Sequence, residues 1–198
     1  MARFIVLEGG EAAGKSTQTE RLAAAIGAVA TREPGGTALG EALRGLLLGA
    51  PLPITSRAET LMMLAARAQH VSEVIEPALA RGQDVVCDRY SGSTFAYQGF
   101  GRGLDVQELA ALDSWATGGR RPDLVVLLDV PVRTGRSRRP GEGKDRFEGE
   151  DDQFLERVRQ GFLDMARQEP HRWKVVDASA PLEAVTAAVL GAVAVPAP

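Results

Sequence analysis

The chain has a single cysteine, Cys87, in 198 residues, so no internal disulfide can form. Cys87 closes the apolar run Asp84-Val-Val-Cys87, a setting that favours a buried, inert thiol and is compatible with a reducing compartment. Neither sign of charge dominates: 23 Lys and Arg against 26 Asp and Glu leave a net charge of −3, which gives no electrostatic case for binding nucleic acid. No apolar run is long enough to span a bilayer, so no membrane partner is expected. The N-terminus enters strand pattern at once with no secretory signal, and a cytoplasmic location is expected. Aromatics are scarce, at 5% of residues, and Trp115 and Trp173 are expected in the core rather than against a ligand. His70 and His171 sit in no partner pattern and are expected at surface or packing positions. Internal repeats and long linkers are missing too. With 44% hydrophobic and 25% charged residues, the composition is that of an ordinary globular chain, expected to form one domain over residues 1–198.

What is present is alternation. Apolar runs at 4–7, 85–87, 124–128 and 173–176, with a weaker one at 28–31, have the short, continuous character of strands buried on both faces. Helix-compatible spacing covers 17–26, 38–48, 56–81, 106–116, 153–167 and 182–193. The order predicts an α/β fold with a five-stranded parallel sheet between helical layers and right-handed crossovers. Ligands of such sheets bind beyond the carboxyl ends of the strands. Glu8, the segment Thr31-Arg-Glu33, Asp88-Arg-Tyr90, Asp129 and Asp177 all stand where an apolar run ends. The stretch 136–149 is polar and nearly free of apolar residues, and it reads as a short mobile lid.

Residues 9–17, Gly9-Gly10-Glu11-Ala12-Ala13-Gly14-Lys15-Ser16-Thr17, fit the phosphate-loop pattern G-x-x-x-x-G-K-[ST] between a strand and a helix. The glycines let backbone N–H groups approach phosphate oxygens, Lys15 supplies a point charge, and the Ser16 hydroxyl suits Mg²⁺. The helix N-terminus after the loop favours an anion. Asp88, at the end of a later strand, is the expected second Mg²⁺ anchor, and the adjoining Arg89 can hold phosphate through two parallel hydrogen bonds. Arg136, Arg138, Arg139, Lys144 and Arg146 crowd the lid segment, where cations aimed at a moving phosphoryl group have most effect. Other residues leave alternatives open. Arg44 is a phosphate ligand or a surface charge. Met63 and Arg67 share a helix face, either as an apolar wall with a donor for a base or as a core residue beside a snorkelling arginine. The string Ser93-Thr94-Phe95-Ala96-Tyr97-Gln98 suits a base and a sugar, or is a polar helix start. A guanine reader of the Asn-Lys-x-Asp type is absent, which argues against a GTP switch, and Asp88 is followed by Arg89 rather than the second acid of a motor ATPase.

Nearly end to end, the chain resembles the bacterial thymidylate kinases. The resemblance rests on Phe4-Ile-Val-Leu-Glu-Gly9 with Gly14-Lys-Ser-Thr17, on Thr31-Arg-Glu-Pro-Gly-Gly-Thr37 with Arg44, and on Arg67-Ala-Gln-His70. It extends through Asp88-Arg-Tyr90, the string Ser93 to Gly99, Arg121-Pro-Asp-Leu124 and Asp145-Arg-Phe-Glu148. It implies a homodimer with a phosphate-loop NTPase fold that transfers the γ-phosphoryl of MgATP to dTMP. On that basis Gly14, Lys15, Ser16 and Thr17 hold ATP phosphates, and Ser16 with Asp88 places Mg²⁺. Lys15, Arg89, Arg146 and Glu11 are the expected catalytic residues, Glu11 near the sugar 3′-hydroxyl of dTMP. Arg44 and Arg89 grip the acceptor phosphate. Arg67 meets the thymine edge, Thr94 its imide, Tyr97 the deoxyribose, and Gln98 completes the pocket. The family's usual Phe four positions before Arg67 is Met63 here, whose thioether can cover a ring face. Arg138 is an adenine-stacking candidate.

Overall fold

A computed structural model describes residues 2–49, 52–138, 146, 147 and 149–194. Five strands form one sheet: β1 (Phe4–Gly9), β2 (Val29–Arg32), β3 (Val85–Asp88), β4 (Leu124–Asp129) and β5 (Trp173–Asp177). Their order is β2-β3-β1-β4-β5 and every pairing is parallel. The central strands β1, β3 and β4 are covered on both sides, which is why they read as continuous apolar runs. β2 and β5 are edges and alternate between covered and uncovered positions, so the expectation of burial on both faces does not hold for them.

Because side chains alternate along a strand, the sheet builds two cores. Phe4 and Val6 face one, with Val85, Cys87, Val125, Leu127, Phe154, Val158 and Phe162. Ile5 and Leu7 face the other, with Leu22, Val86, Val126, Leu128, Val185 and Val189. The first core is closed by residues 71–80, which follow α3 (Ser56–His70), and by α8 (Asp152–Gln168), the second by α1 (Lys15–Ile26) and α9 (Leu182–Ala194). Helix starts follow their capping chemistry: Thr37 caps α2 (Ala38–Arg44), Thr55 caps α3, Asp105 caps α6 (Val106–Thr117) and Asp151 caps α8, each side chain accepting a backbone N–H.

Three segments depart from the sequence reading. The expected helix over 56–81 is interrupted: α3 ends at His70, Val71–Ile75 widens into a π-helical turn, and α4 (Glu76–Ala80) follows. Pro77, in the first turn of α4, has no N–H for the preceding turn and its ring crowds the carbonyl four residues back, which accounts for the break. Residues 91–101 form α5 (Ser91–Thr94), prolonged by a π-helical stretch Phe95–Gly101. A helix α7 (Val132–Ser137) had no sequence signal, and it takes in Arg136, the residue expected to start the lid. Trp173 joins the core, but Trp115 is 85% exposed, contrary to expectation: helical periodicity assigned it to a face without showing that this face is uncovered.

Gly9 couples the sheet to the phosphate loop. Its φ is +145°, and a Cβ there would lie 2.4 Å from the carbonyl oxygen of Leu128 in β4. Gly9→Ala is therefore expected to destabilise the fold by about 2 kcal/mol or more through strain and a backbone clash. Urea unfolding of the variant checks this, and an unchanged midpoint contradicts it.

Candidate active site

The loop between β1 and α1 turns through left-handed backbone at Ala12 (φ 55°) and Gly14 (φ 87°). Lys15 is buried at its exit, its Nζ donating to the Gly10 carbonyl at 2.7 Å. Burial pulls the Lys15 ammonium down to about 8; nearby Arg89 acts in the same direction, and Glu11, Asp88 and Glu8 oppose it. The Ser16 hydroxyl donates to Asp88 Oδ2 at 2.6 Å, while Asp88 Oδ1 is buried with no hydrogen-bond partner. A hydroxyl beside an unsatisfied carboxylate oxygen fits a hard cation such as Mg²⁺ that takes its other ligands from phosphate and water. Among the described residues no group of three or more His, Cys, Asp and Glu side chains offers an all-protein metal cage.

A cleft of about 320 Å³ opens above the loop, lined by Glu11, Ala12, Gly14, Lys15, Ser16 and Thr17, with Arg32, Glu33, Arg44, Asp88, Arg89 and Arg138. A second, narrower cleft of about 90 Å³ lies beside it. It gathers Glu11, Arg44, Met63, Arg67, Arg89, Thr94, Tyr97 and Gln98, together with Glu33, Pro34, Leu48, Ser93 and Phe147. Glu11, Glu33, Arg44 and Arg89 line both, so the two clefts share a wall. A further space of about 660 Å³ between α6 and α8 contains no phosphate-loop residue.

Arg89 dominates the shared wall. It has φ 69° and donates to the Gly9 carbonyl at 3.0 Å, to Ser93 Oγ at 3.1 Å, to Tyr97 Oη at 3.3 Å and to Glu11 Oε1. Burial disfavours its charge, but Glu11 and, less strongly, Tyr97, Asp88 and Glu8 outweigh that, and its pKa is raised. Tyr97 also donates to Glu11 Oε1 at 2.7 Å. Arg44 reaches the wall from α2, donating to the Pro34 carbonyl at 2.9 Å; burial, assisted by Arg32, lowers its pKa.

Below this wall lies Glu8, which is 1% exposed. Its carboxylate accepts the N–H groups of Tyr90 and Ser93, each at 3.0 Å, and the Ser93 hydroxyl at 2.6 Å, fixing the turn that carries Arg89. Burial pushes the Glu8 carboxyl up to about 7 against those donors and Arg89. The sequence marked Glu8 only as a strand-end acid. On the far side of the second cleft, Arg67 is 3% exposed and does not snorkel. Its Nε donates to Glu33 Oε2 at 2.7 Å, and its Nη1 to Asp113 Oδ1 at 2.6 Å and Thr94 Oγ1 at 3.0 Å. Glu33 Oε1 meets His70 Nδ1 at 2.9 Å, and His70 Nε2 meets Thr31 Oγ1 at 2.6 Å. His70 is thus fully buried and hydrogen-bonded, not a surface or simple packing residue. Sequence pattern assigned Glu8, Glu33, His70 and Asp113 no such partners, because those partners come from other elements. Gln98 donates to Glu59 at 3.0 Å.

The lid residues separate. Arg138 crosses the loop, donating to the carbonyls of Ala12 at 3.2 Å and Ala178 at 2.7 Å. Arg136 pairs outward with Asp152, and Arg146 donates to the carbonyls of Leu47 and Leu52, so neither lines the two clefts. Arg139 and Lys144 lie outside the described residues. Phe147 is 6% exposed and packs edge-on against Tyr97 at 5.2 Å, so this part of the expected polar lid is anchored in the core. The Cys87 thiol is buried, and burial first, then Glu33, Asp88 and Glu8, push its pKa up, as an inert thiol requires.

A phosphate loop on a parallel sheet of this order, opposite a second cleft with its own arginines, defines a phosphate-loop nucleotide kinase. The sequence profile of the family described as Thymidylate kinase matches residues 7–189. A thymidylate kinase of Alkalilimnicola ehrlichii is 52% identical over 200 residues, covering 97% of this chain and 92% of that protein. One from Pseudomonas putida strain W619 is 51% identical over 194 residues, covering 94% and 93%. The crystal structure of a thymidylate kinase from Ehrlichia chaffeensis superposes with a TM-score of 0.78 at 34% identity, covering 97% of this chain and 98% of that one. The chain belongs to the thymidylate kinase family.

The raised Glu8 pKa has a signed consequence. The folded state holds that proton more tightly than the unfolded chain, so the stability it contributes is fully present below the ordinary value of 4.5 and lost as pH rises through about 7. Relative to Glu8→Gln, the wild type should lose on the order of 3 kcal/mol between those limits. Denaturant melts of both proteins at pH 5 and pH 8 measure it, and parallel pH profiles contradict it.

Proposed function

We propose that this chain is a thymidylate kinase that moves the γ-phosphoryl group of MgATP to dTMP, giving dTDP and ADP. The observation that carries the reading is the common wall: one cleft bears the phosphate loop, the other a base-sized set of polar and apolar groups, and Arg89, Arg44, Glu11 and Glu33 border both. ATP phosphates on residues 9–17 and a monophosphate in the second cleft then face each other across Arg89. An acceptor-phosphate oxygen attacks the γ-phosphorus, a new P–O bond forms, and the bond to the ADP oxygen breaks. That oxygen is nucleophilic at neutral pH, so in-line alignment and charge neutralisation do most of the work. Lys15 leaves the Gly10 carbonyl for the β- and γ-phosphates, and Arg44 and Arg89 hold the acceptor. Bound Mg²⁺, held by Ser16 and Asp88, would supply charge neutralisation on the phosphates. Glu11 keeps Arg89 oriented and lies at the sugar 3′-hydroxyl. Arg67 and Thr94 address the base, Met63 covers its face, and Tyr97 with Gln98 borders the deoxyribose.

A cleft of 90 Å³ is narrower than a nucleotide, so dTMP entry requires Phe147 to withdraw. The same movement frees Arg146 from the Leu47 and Leu52 carbonyls, and with Arg136, Arg138, Arg139 and Lys144 it closes over the donor phosphates. We take the working unit to be one kinase domain over residues 1–198 with the lid at 136–149, acting in the cytoplasm as a homodimer. Support for the dimer comes from Leu61 on α3 and Leu112 and Trp115 on α6, which are 56%, 41% and 85% exposed on helices that pack together. Trp115→Glu should shift sedimentation from dimer to monomer, and an unchanged dimer contradicts that assignment.

ADP release measured with dTMP, dUMP, dCMP and dGMP tests the activity, with fastest turnover expected for dTMP. Lys15→Ala and Arg89→Ala should each lower kcat by about a hundredfold or more, an effect larger than their loss of fold stability. Near-native turnover in either variant would overturn the assignment of these residues, and no dTMP turnover by the wild type would overturn the function.

A further inference from the structure

We propose that His70 is a positioning residue that sets how Arg67 presents its guanidinium to the base and thereby contributes to the choice of acceptor nucleotide. The proposal rests on the function given above. His70 is 0% exposed and does not line either cleft, so it can act only through its neighbours. Its Nδ1 faces Glu33 Oε1 at 2.9 Å, and a carboxylate can only accept, so Nδ1 carries the proton. In the neutral ring Nε2 is then left to accept from the Thr31 hydroxyl at 2.6 Å. Glu33 passes the constraint on, its other oxygen accepting from Arg67 Nε at 2.7 Å. Arg67 Nη1 is engaged by Asp113 and Thr94, which leaves Nη2 as the guanidinium nitrogen without a hydrogen bond among the described residues.

With the ring neutral, the chain of donors runs one way: Thr31 to His70, His70 to Glu33, with Arg67 closing on Glu33 from the other side. It fixes the Nε of the guanidinium, Asp113 and Thr94 fix Nη1, and together they aim the third nitrogen. A guanidinium only donates, so an aimed Nη2 favours a base presenting a carbonyl oxygen over one presenting an amino group. The imidazole is itself immobilised. Gly36 (φ +76°) packs over it so closely that a Cβ there would lie 2.8 Å from His70 Cδ2 and 2.8 Å from Thr31 Oγ1.

Two amide substitutions separate the halves of the relay. In His70→Asn the side-chain N–H₂ falls near the position of Nδ1 and retains donation to Glu33. In His70→Gln it falls near Nε2 and retains only the Thr31 side. The Gln variant should raise the KM for dTMP about tenfold, reduce the kcat/KM preference for dTMP over dCMP, and leave the KM for ATP unchanged. The Asn variant should recover most of that loss. A merely structural role predicts instead that both variants lose thermal stability and that dTMP and ATP parameters move together. Thr31→Val, close in shape and at a residue that lines neither cleft, carries the same test should the histidine variants fail to fold, with the dTMP KM again rising and the ATP KM fixed. An active wild type with a Gln variant that matches it in dTMP KM and in selectivity overturns the relay alone. A wild type that does not phosphorylate dTMP overturns the function on which it rests.

Discussion

The hydrogen bonds of one guanidinium, that of Arg89, hold the two halves of this site together. Its nitrogens reach the phosphate-loop carbonyl of Gly9, the Ser93 hydroxyl at the head of α5, and both Glu11 and Tyr97 in the second cleft. A buried cation is costly unless its donors are satisfied, and here partners from three segments satisfy them. The same contacts fix the distance between the loop and α5. That geometry makes one enclosure out of two clefts, and any phosphate entering it must compete with Glu11 for Arg89.

Two buried carboxylates carry the arginines. Glu8 stands at the end of β1 beneath Arg89 and binds the turn at residues 90–93. Glu33 follows the end of β2 and binds Arg67. The parallel sheet explains why both are possible: every strand ends on the same side, so polar residues placed just after apolar runs converge without crossing the core. Arg89 has one carboxylate partner, Glu11, beside three neutral ones. Arg67 is paired with two carboxylates, Glu33 and Asp113, and is closed off from solvent, which suits a surface that must keep its shape.

The sheet was legible because central strands must be apolar and continuous, and the phosphate loop because its chemistry lies within nine consecutive residues. The second cleft was legible only in part. Spacing put Met63 and Arg67 on one helix face, but the burial of Arg67 depends on Glu33 and Asp113, 34 and 46 residues away in the chain. Four-residue periodicity cannot express such long-range pairs. Nor can it say which face of α6 the rest of the chain covers, and so Trp115 was misplaced. Phe147 illustrates the converse, a single aromatic in a polar stretch that a composition reading passes over, yet one that lies against Tyr97.

The central claim is that donor and acceptor phosphates meet directly across Arg89. Its most direct test is the stereochemical course of transfer from ATP made chiral at the γ-phosphorus with oxygen isotopes to dTMP. A single in-line displacement predicts dTDP with inverted configuration at the transferred phosphorus. Retention would mean that the phosphoryl group passes through the protein on the way, and it would contradict the shared-wall account.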